Sequence, residues 1–236
     1  MHNKLIVVSG GTKGIGRAII ARFMAHGFDA VTCSRNDADL SQLKSELESS
    51  YPQSTLHVFK ADLSVKSEVL AFADFVKQLS QPVDVLVNNT GVFIPGEVHQ
   101  EEDGALEKMI ETNLYSAYHL TRALLPEMKS RKSGHIFNMC SIASIIAYAN
   151  GGSYSISKFA MYGMSKVLRE EMKPHDIRVT AILPGATYTA SWEGVDVPEE
   201  RLMKADDVAE AVFSANSMSV TSVVEEIVIR PQLGDL

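Results

Sequence analysis

From residue 4 to residue 229 the chain repeats one pattern: a short apolar run, a turn, then an amphipathic segment. Seven runs read as strands: KLIVVS (4–9), AVTCS (30–34), TLHVFK (55–60), VDVLVNN (83–89), GHIFNMC (134–140), IRVTAIL (177–183) and VEEIVI (224–229). The intervening segments predict helices over 15–26, 37–50, 66–79, 154–172 and 205–216, with one or two more within 101–130. Leu40, Leu43 and Leu47 share one face of the second helix, and Pro126 predicts a kink or an end in the last turns before residue 130. Strands joined by helical crossovers pair in parallel, and right-handed connections place helices on both faces. The expected class is therefore α/β, a doubly wound, mostly parallel seven-stranded sheet.

The 236 residues suffice for one large domain and are few for two, and no linker or repeat interrupts them, so one domain over 1–236 is expected. A net charge of −7 argues against a nucleic-acid partner or an anionic membrane surface, while leaving room for a local basic pocket. Cys33 and Cys140 are the two cysteines and the seven histidines form no cluster, so neither a disulfide framework nor a metal site is expected. The opening MHNKLIVVSGG has too short an apolar run for a secretory signal or a membrane span. These features point to a cytoplasmic enzyme or binding protein.

Between the first strand and the first helix stands SGGTKGIG, Ser9 to Gly16. Gly10 lets the chain turn off the strand, Gly14 admits a pyrophosphate close to the backbone, and Gly16 lets the helix pack near the sheet. Amides at the helix N-terminus then hold phosphate. No Lys-Ser/Thr pair follows, which disfavours a nucleoside-triphosphate loop. The second strand ends at Ser34 with Arg35 next, and the nearest acid, Asp37, lies beyond it. Arg35, with Lys13 from the glycine turn, suits a 2′-phosphate, so the expected cofactor is NADP(H).

In SYSISK, 153–158, Tyr154 and Lys158 stand one helical turn apart and face the same way. Taken alone, each residue here is ordinary. Ser141 could be a strand-end cap, Asn113 a polar group at a helix start, and Tyr154 a half-buried core ring.

Their order along the chain carries more. SGGTKGIG, Asp62 after the third strand, NNTG at 88–91, Asn113 in NLYSAY, Ser141, Tyr154 with Lys158, and PG at 184–185 together resemble a classical short-chain dehydrogenase/reductase over nearly the whole length. The resemblance implies a Rossmann domain in which Tyr154 is the general acid in reduction, its pKa lowered by Lys158 and by an oxidised nicotinamide. Lys158 would also bind the nicotinamide ribose, Ser141 the carbonyl oxygen, and Asn113 a relay water. It assigns cofactor contacts to Gly10, Thr12, Lys13, Gly14, Ile15 and Gly16, and to Ser34, Arg35 and Asn36. Further contacts fall to Asp62, Leu63, Asn89, Thr90, Gly91, Tyr154, Lys158, Pro184, Gly185, Thr187 and Thr189.

Two departures are mild: Ser9 replaces the usual Thr, and Thr90 the usual Ala. The substrate loop, about 186–205, is shorter than in many relatives, which suggests an open pocket. Phe93, Ile142, Tyr148, Tyr188 and Trp192 are the candidate pocket residues, implying an apolar to aromatic surface. His135, at the remote start of its strand, is not expected to be a base, and Cys140 is expected to be a buried strand residue. The C-terminal tail suits either a neighbouring subunit or the chain's own surface.

The expected activity is NADPH-dependent reduction of a ketone or aldehyde to an alcohol. The segment VTCSRN and the reduced loop look like members acting on small ketones or pteridine side-chain ketones. A 3-oxoacyl-thioester reductase is one alternative, although the basic pair Arg131 and Lys132 lies at the wrong end of the sheet for a carrier protein. A non-catalytic NADP(H) sensor on the same fold is another. Relatives of this kind assemble through the helices at 101–130 and 154–172, which implies a homodimer or homotetramer.

Overall fold

A computed structural model describes residues 3–189 and 197–235 of the chain. Seven strands form one sheet in the order β3-β2-β1-β4-β5-β6-β7, and every neighbouring pair is parallel. They are β1 (Leu5–Ser9), β2 (Asp29–Ser34), β3 (Leu56–Lys60), β4 (Val83–Asn88), β5 (Gly134–Met139), β6 (Ile177–Pro184) and β7 (Glu226–Ile229). The helices are α1 (Gly14–Met24), α2 (Asp37–Ser50), α3 (Lys66–Gln78), α4 (Ala105–Ile110), α5 (Ser116–Arg131), α6 (Gly152–Met172) and α7 (Ala205–Ser217).

β1 shows why the sheet is covered on both sides. Its alternate residues point to opposite faces. Ile6 and Val8 join Ile19, Ile20 and Phe23 of α1, Leu43 and Leu47 of α2, and Val208 and Val212 of α7. Leu5 and Val7 join Val69, Phe72 and Val76 of α3, Leu120, Leu124 and Met128 of α5, and Leu168 and Met172 of α6. A strand buried on both faces has to be apolar throughout, as LIVVS nearly is.

The strand order reverses at β1, which is flanked by β2 and β4. The connections leaving those strands diverge, opening a crevice at their carboxyl ends where doubly wound sheets take ligands. That crevice receives the glycine turn, the loop after β4 and the start of α6.

One local expectation changes, at Pro126, and the one or two helices expected within 101–130 are two. α5 continues five residues beyond Pro126 to Arg131. Leu124 and Met128 are buried on its inner face, whereas Arg122 and Pro126 are exposed, so the carbonyl deprived of a proline N–H faces water. The 101–130 segment begins as a loop, and α4 and α5 are joined by a π-helical turn, Glu111–Tyr115.

Candidate active site

The glycine turn is fastened by neighbouring strands. Gly10 and Gly14 adopt φ values of 67° and 52°, the left-handed region that favours glycine. A Cβ on Gly16 would lie 2.6 Å from both the Gly10 carbonyl oxygen and Asn89 Nδ2. Asn89 Nδ2 donates to the carbonyls of Ser9 (3.0 Å) and Gly10 (2.9 Å), while Ser9 Oγ accepts the amides of Asn89 and Thr90 at 3.0 Å each. Thr32 Oγ1 donates to Val8 O (2.7 Å) and accepts from Gly11 N (3.0 Å), a role the sequence did not reveal. Lys13 makes no side-chain cap to α1, and no acid stands in its first turn. The helix N-terminus is thereby left with amides and positive potential suited to phosphate.

Beyond β2, Thr12 Oγ1 donates to Ser34 Oγ at 3.5 Å, and Asn36 caps α2 by accepting from Ala38 N (2.9 Å). Arg35 is exposed and forms no ion pair among the described residues. Lys13, expected to approach the same pocket, is exposed and pairs with Asp39 at 3.5 Å, and Asp37 pairs with Lys60 at 2.9 Å. Burial raises the Asp62 carboxyl, but hydrogen bonds from Ser64 and the Arg35 charge outweigh it and hold Asp62 below the usual range. Leu63 is buried beside it. An open cleft of about 520 Å³ is lined by Thr12, Lys13, Gly14, Arg17, Tyr188 and Thr189, among others.

The candidate reacting residues come from three elements. Asn113 lies in the π turn between α4 and α5, a widening of the helix that recurs at functional sites. Its Oδ1 accepts from Val92 N at 2.7 Å, and its Nδ2 donates to Val92 O (3.0 Å) and Ser157 Oγ (2.9 Å). Ser157 Oγ donates in turn to Tyr154 O at 2.7 Å. Lys158, 4% exposed, donates from Nζ to Met139 O at 2.8 Å and lies 5.8 Å from the Tyr154 ring centroid. A Cβ on Gly91 would sit 3.3 Å from Asn113 Oδ1 and 3.4 Å from Lys158 Nζ, so the NNTG loop runs directly against both side chains. Ser141 follows β5 in a reciprocal cap with Ser144: Ser141 N donates to Ser144 Oγ at 3.1 Å, and Ser141 Oγ accepts from Ala143 N at 3.1 Å.

Burial pushes the Tyr154 phenol above its ordinary pKa, opposed by a hydrogen bond with Ser141. Burial also pushes the Lys158 ammonium down. The lowered Tyr154 pKa expected from the sequence belongs to the site with an oxidised nicotinamide beside it; in the chain alone burial acts in the opposite direction. Lys158 directs its hydrogen bond to a backbone carbonyl and stands over the ring, so burial prevails in the chain by itself.

Phe93 packs edge-on to Tyr154, with ring centroids 4.9 Å apart. Tyr148 is exposed, and its phenol is pushed up to about 12 by burial and by Tyr154. Ile142 is half-buried, whereas Ile145 and Ile146, not singled out from the sequence, are exposed in the same segment. Tyr188 lines the cleft beside Lys13 and Arg17. Trp192 lies outside the described residues.

After β6, which includes Pro184, Gly185 N donates to Ile229 O at 2.8 Å, and Thr187 Oγ1 donates to Gly185 O at 3.0 Å. Thr189 packs on the glycine turn, with Cγ2 3.0 Å from where a Gly14 Cβ would be. The C-terminal tail lies against its own chain: Asp235 Oδ1 would be 2.7 Å from a Cβ on Gly185.

His135 is buried, within 2.8 Å of Thr180 Oγ1, and its pKa is lowered by burial to about 3. Burial raises the Cys140 thiol to about 11. Arg131 donates to Val83 O at 2.6 Å, at the amino end of β4. Among the described residues there is no metal-holding group of His, Cys, Asp or Glu and no helix long and apolar enough to cross a membrane.

Comparison with known proteins places this geometry. Residues 4–200 match the family model described as short chain dehydrogenase. The chain is 33% identical over 240 residues to a sepiapterin reductase of Chlorobaculum tepidum, covering 98% of both chains. It resembles an alcohol dehydrogenase structure from the archaeon Thermococcus sibiricus complexed with 5-hydroxy-NADP, at 25% identity and TM-score 0.92, covering 100% of this chain and 99% of that one. A metagenomic short-chain oxidoreductase in complex with NADP is similar at 29% identity and TM-score 0.85, covering 98% of both chains.

Proposed function

The chain belongs to the short-chain dehydrogenase family, and we propose that it is an NADPH-dependent reductase of a ketone or aldehyde in which Tyr154 is the proton donor. The observation that carries this reading is the meeting of Tyr154 with Ser141, while Lys158 and Asn113 both stand against Gly91, at one end of the sheet.

The residues present fit the dinucleotide. Gly10 and Gly14 hold a turn that other residues would strain, α1 leaves its first amides uncapped, and Arg35 is exposed beside the acidless end of β2. Thr90 Oγ1 is buried and has no partner among the described residues. The adenosine end would be held by Thr12, Lys13, Ile15, Ser34, Arg35, Asn36, Asp62 and Leu63, with the 2′-phosphate against Arg35. Asn89, Thr90, Gly91, Lys158, Thr187 and Thr189 would line the remainder. When bound, the reduced nicotinamide supplies the hydride.

Ser141 and Tyr154 hold the carbonyl oxygen, and the Tyr154 phenol gives its proton as negative charge develops there. Lys158 stabilises the resulting phenolate, and Asn113 fixes the loop at Val92 and the Ser157 hydroxyl behind the pair. Phe93 and Tyr148 offer an apolar and aromatic wall to the substituent on the carbonyl. That surface, and the likeness to a sepiapterin reductase, support a ketone on a pteridine side chain as the first substrate to try.

We further read residues 1–236 as one domain with a short substrate loop at about 186–205, and the outer faces of α5 and α6 as a homo-oligomer interface. Tyr118, Ile156, Phe159 and Val167 are exposed on those two helices. Sedimentation of the purified chain should give a dimer or tetramer; a monomer at micromolar concentration would contradict it.

Absorbance-monitored oxidation of NADPH and NADH across pteridine ketones, diketones, aromatic aldehydes and a 3-oxoacyl thioester tests the activity. The expected result is turnover with NADPH, slower with NADH. Tight NADPH binding with no turnover on any carbonyl would favour a cofactor sensor instead.

A further inference from the structure

We infer that Glu101 is a positioning residue for this site, fastening the loop after β4 to the helix turn that presents Tyr154. The inference rests on the reductase reading for its kinetic consequence, but its structural basis is independent.

α6 begins at Gly152 without a cap from the preceding residue's side chain. The carboxylate that serves it comes from 52 residues earlier: Glu101 Oε1 accepts from Ser153 N at 2.8 Å, and Glu101 Oε2 accepts from Ser153 Oγ. Ser153 is 2% exposed and immediately precedes Tyr154. A carboxylate there satisfies an N–H that the helix cannot and faces the positive end of its dipole.

The surroundings are shaped to admit this side chain. A Cβ on Gly96 would stand 2.6 Å from Glu101 Cγ, and a Cβ on Gly152 would collide with Glu101 Oε1. Gly152 also has a φ of 32°, so its lack of a side chain serves both the turn and the approach. A backbone bond from Gly96 N to Asn150 O, 3.1 Å, ties the same two segments together. The loop carrying Glu101 also carries Phe93, which meets Tyr154 edge-on. One carboxylate therefore sets the position of the Tyr154 turn relative to its aromatic wall. Among the described residues the Glu101 side chain makes no hydrogen bond to the glycine turn.

Glu101→Ala should lower kcat by about 10- to 100-fold, the scale of a misplaced reacting group, with the NADPH dissociation constant changed less than about threefold. Glu101→Gln, which keeps an acceptor for Ser153 N–H, should recover most of the loss. Amide exchange over residues 152–156 should quicken by at least about tenfold in Glu101→Ala, while β1 and α1 keep their protection. Ser153→Ala, which removes only the hydroxyl contact, should shift the same amides less and keeps the test readable if Glu101→Ala does not fold. Unchanged exchange at 152–156 in every folded variant would overturn the inference. So would a kcat loss matched by weaker NADPH binding and faster exchange throughout, the mark of general destabilisation. A wild type inactive on all carbonyls would reject the reductase reading, and the exchange result would still decide the role of Glu101.

Discussion

Arg35 is exposed, forms no ion pair among the described residues, and stands where an acid would be needed to favour a free ribose hydroxyl. Losing a charge-assisted hydrogen bond costs about 1.5–3 kcal/mol, so Arg35→Ala should weaken NADPH binding roughly 10- to 100-fold while barely moving NADH. Fluorescence titration with both cofactors measures that difference; equal losses for the two would remove Arg35 from the 2′-phosphate site. At this scale the sequence was informative where a residue type answers to a backbone requirement. Gly10 and Gly14 take positive φ angles, and Ser9, in place of a threonine, still offers a hydroxyl to two amides. It was uninformative where a side chain finds its partner across the fold. The Lys13–Asp39 pair and the Glu101–Ser153 contact depend on how loops meet, and no local pattern records that.

Among the elements, the π turn at Glu111–Tyr115 shows most clearly what periodicity cannot foretell. The apolar pattern of 101–130 indicated helix but not the local change in winding at Asn113, whose side chain bonds Val92 and Ser157 across the fold. Asn113 is fully buried, so Asn113→Ala would leave the Val92 amide and carbonyl without these partners. The expected cost is about 2–3 kcal/mol of unfolding free energy by urea titration, together with a fall in kcat. Unchanged stability would mean that water replaces those bonds and that the asparagine is not the clamp described. The helix passing through Pro126 has a similar cause: burial of Leu124 and Met128 on one face prevails over one missing bond on the other. The alternation of apolar runs with amphipathic segments was the most legible signal, because a parallel sheet covered on both faces demands short apolar runs at each strand.

Across the whole molecule, His135 links stability to pH. Its folded pKa, about 3, lies below the ordinary value of 6.5, so the unfolded chain takes up the proton first. Its contribution is fully present above pH 6.5 and is lost as pH falls from 6.5 towards 3, at up to about 1.4 kcal/mol per pH unit. Between pH 7 and pH 5 the wild type should lose about 2 kcal/mol more than His135→Gln in parallel urea titrations. Equal losses would show that His135 is not buried in its neutral form. At this scale the doubly wound topology, the crevice at β1 and β4 and the order of the motifs were all legible, since each follows from chain order and right-handed crossovers. The central claim, that the Tyr154 phenol supplies the proton, is tested most directly by Tyr154→Phe, which removes one oxygen and leaves the ring against Phe93. Single-turnover reduction of the best carbonyl substrate should slow by about a thousandfold, within the range for losing a general acid, while NADPH binds within about threefold of wild type. Turnover by Tyr154→Phe at the wild-type rate would contradict the account.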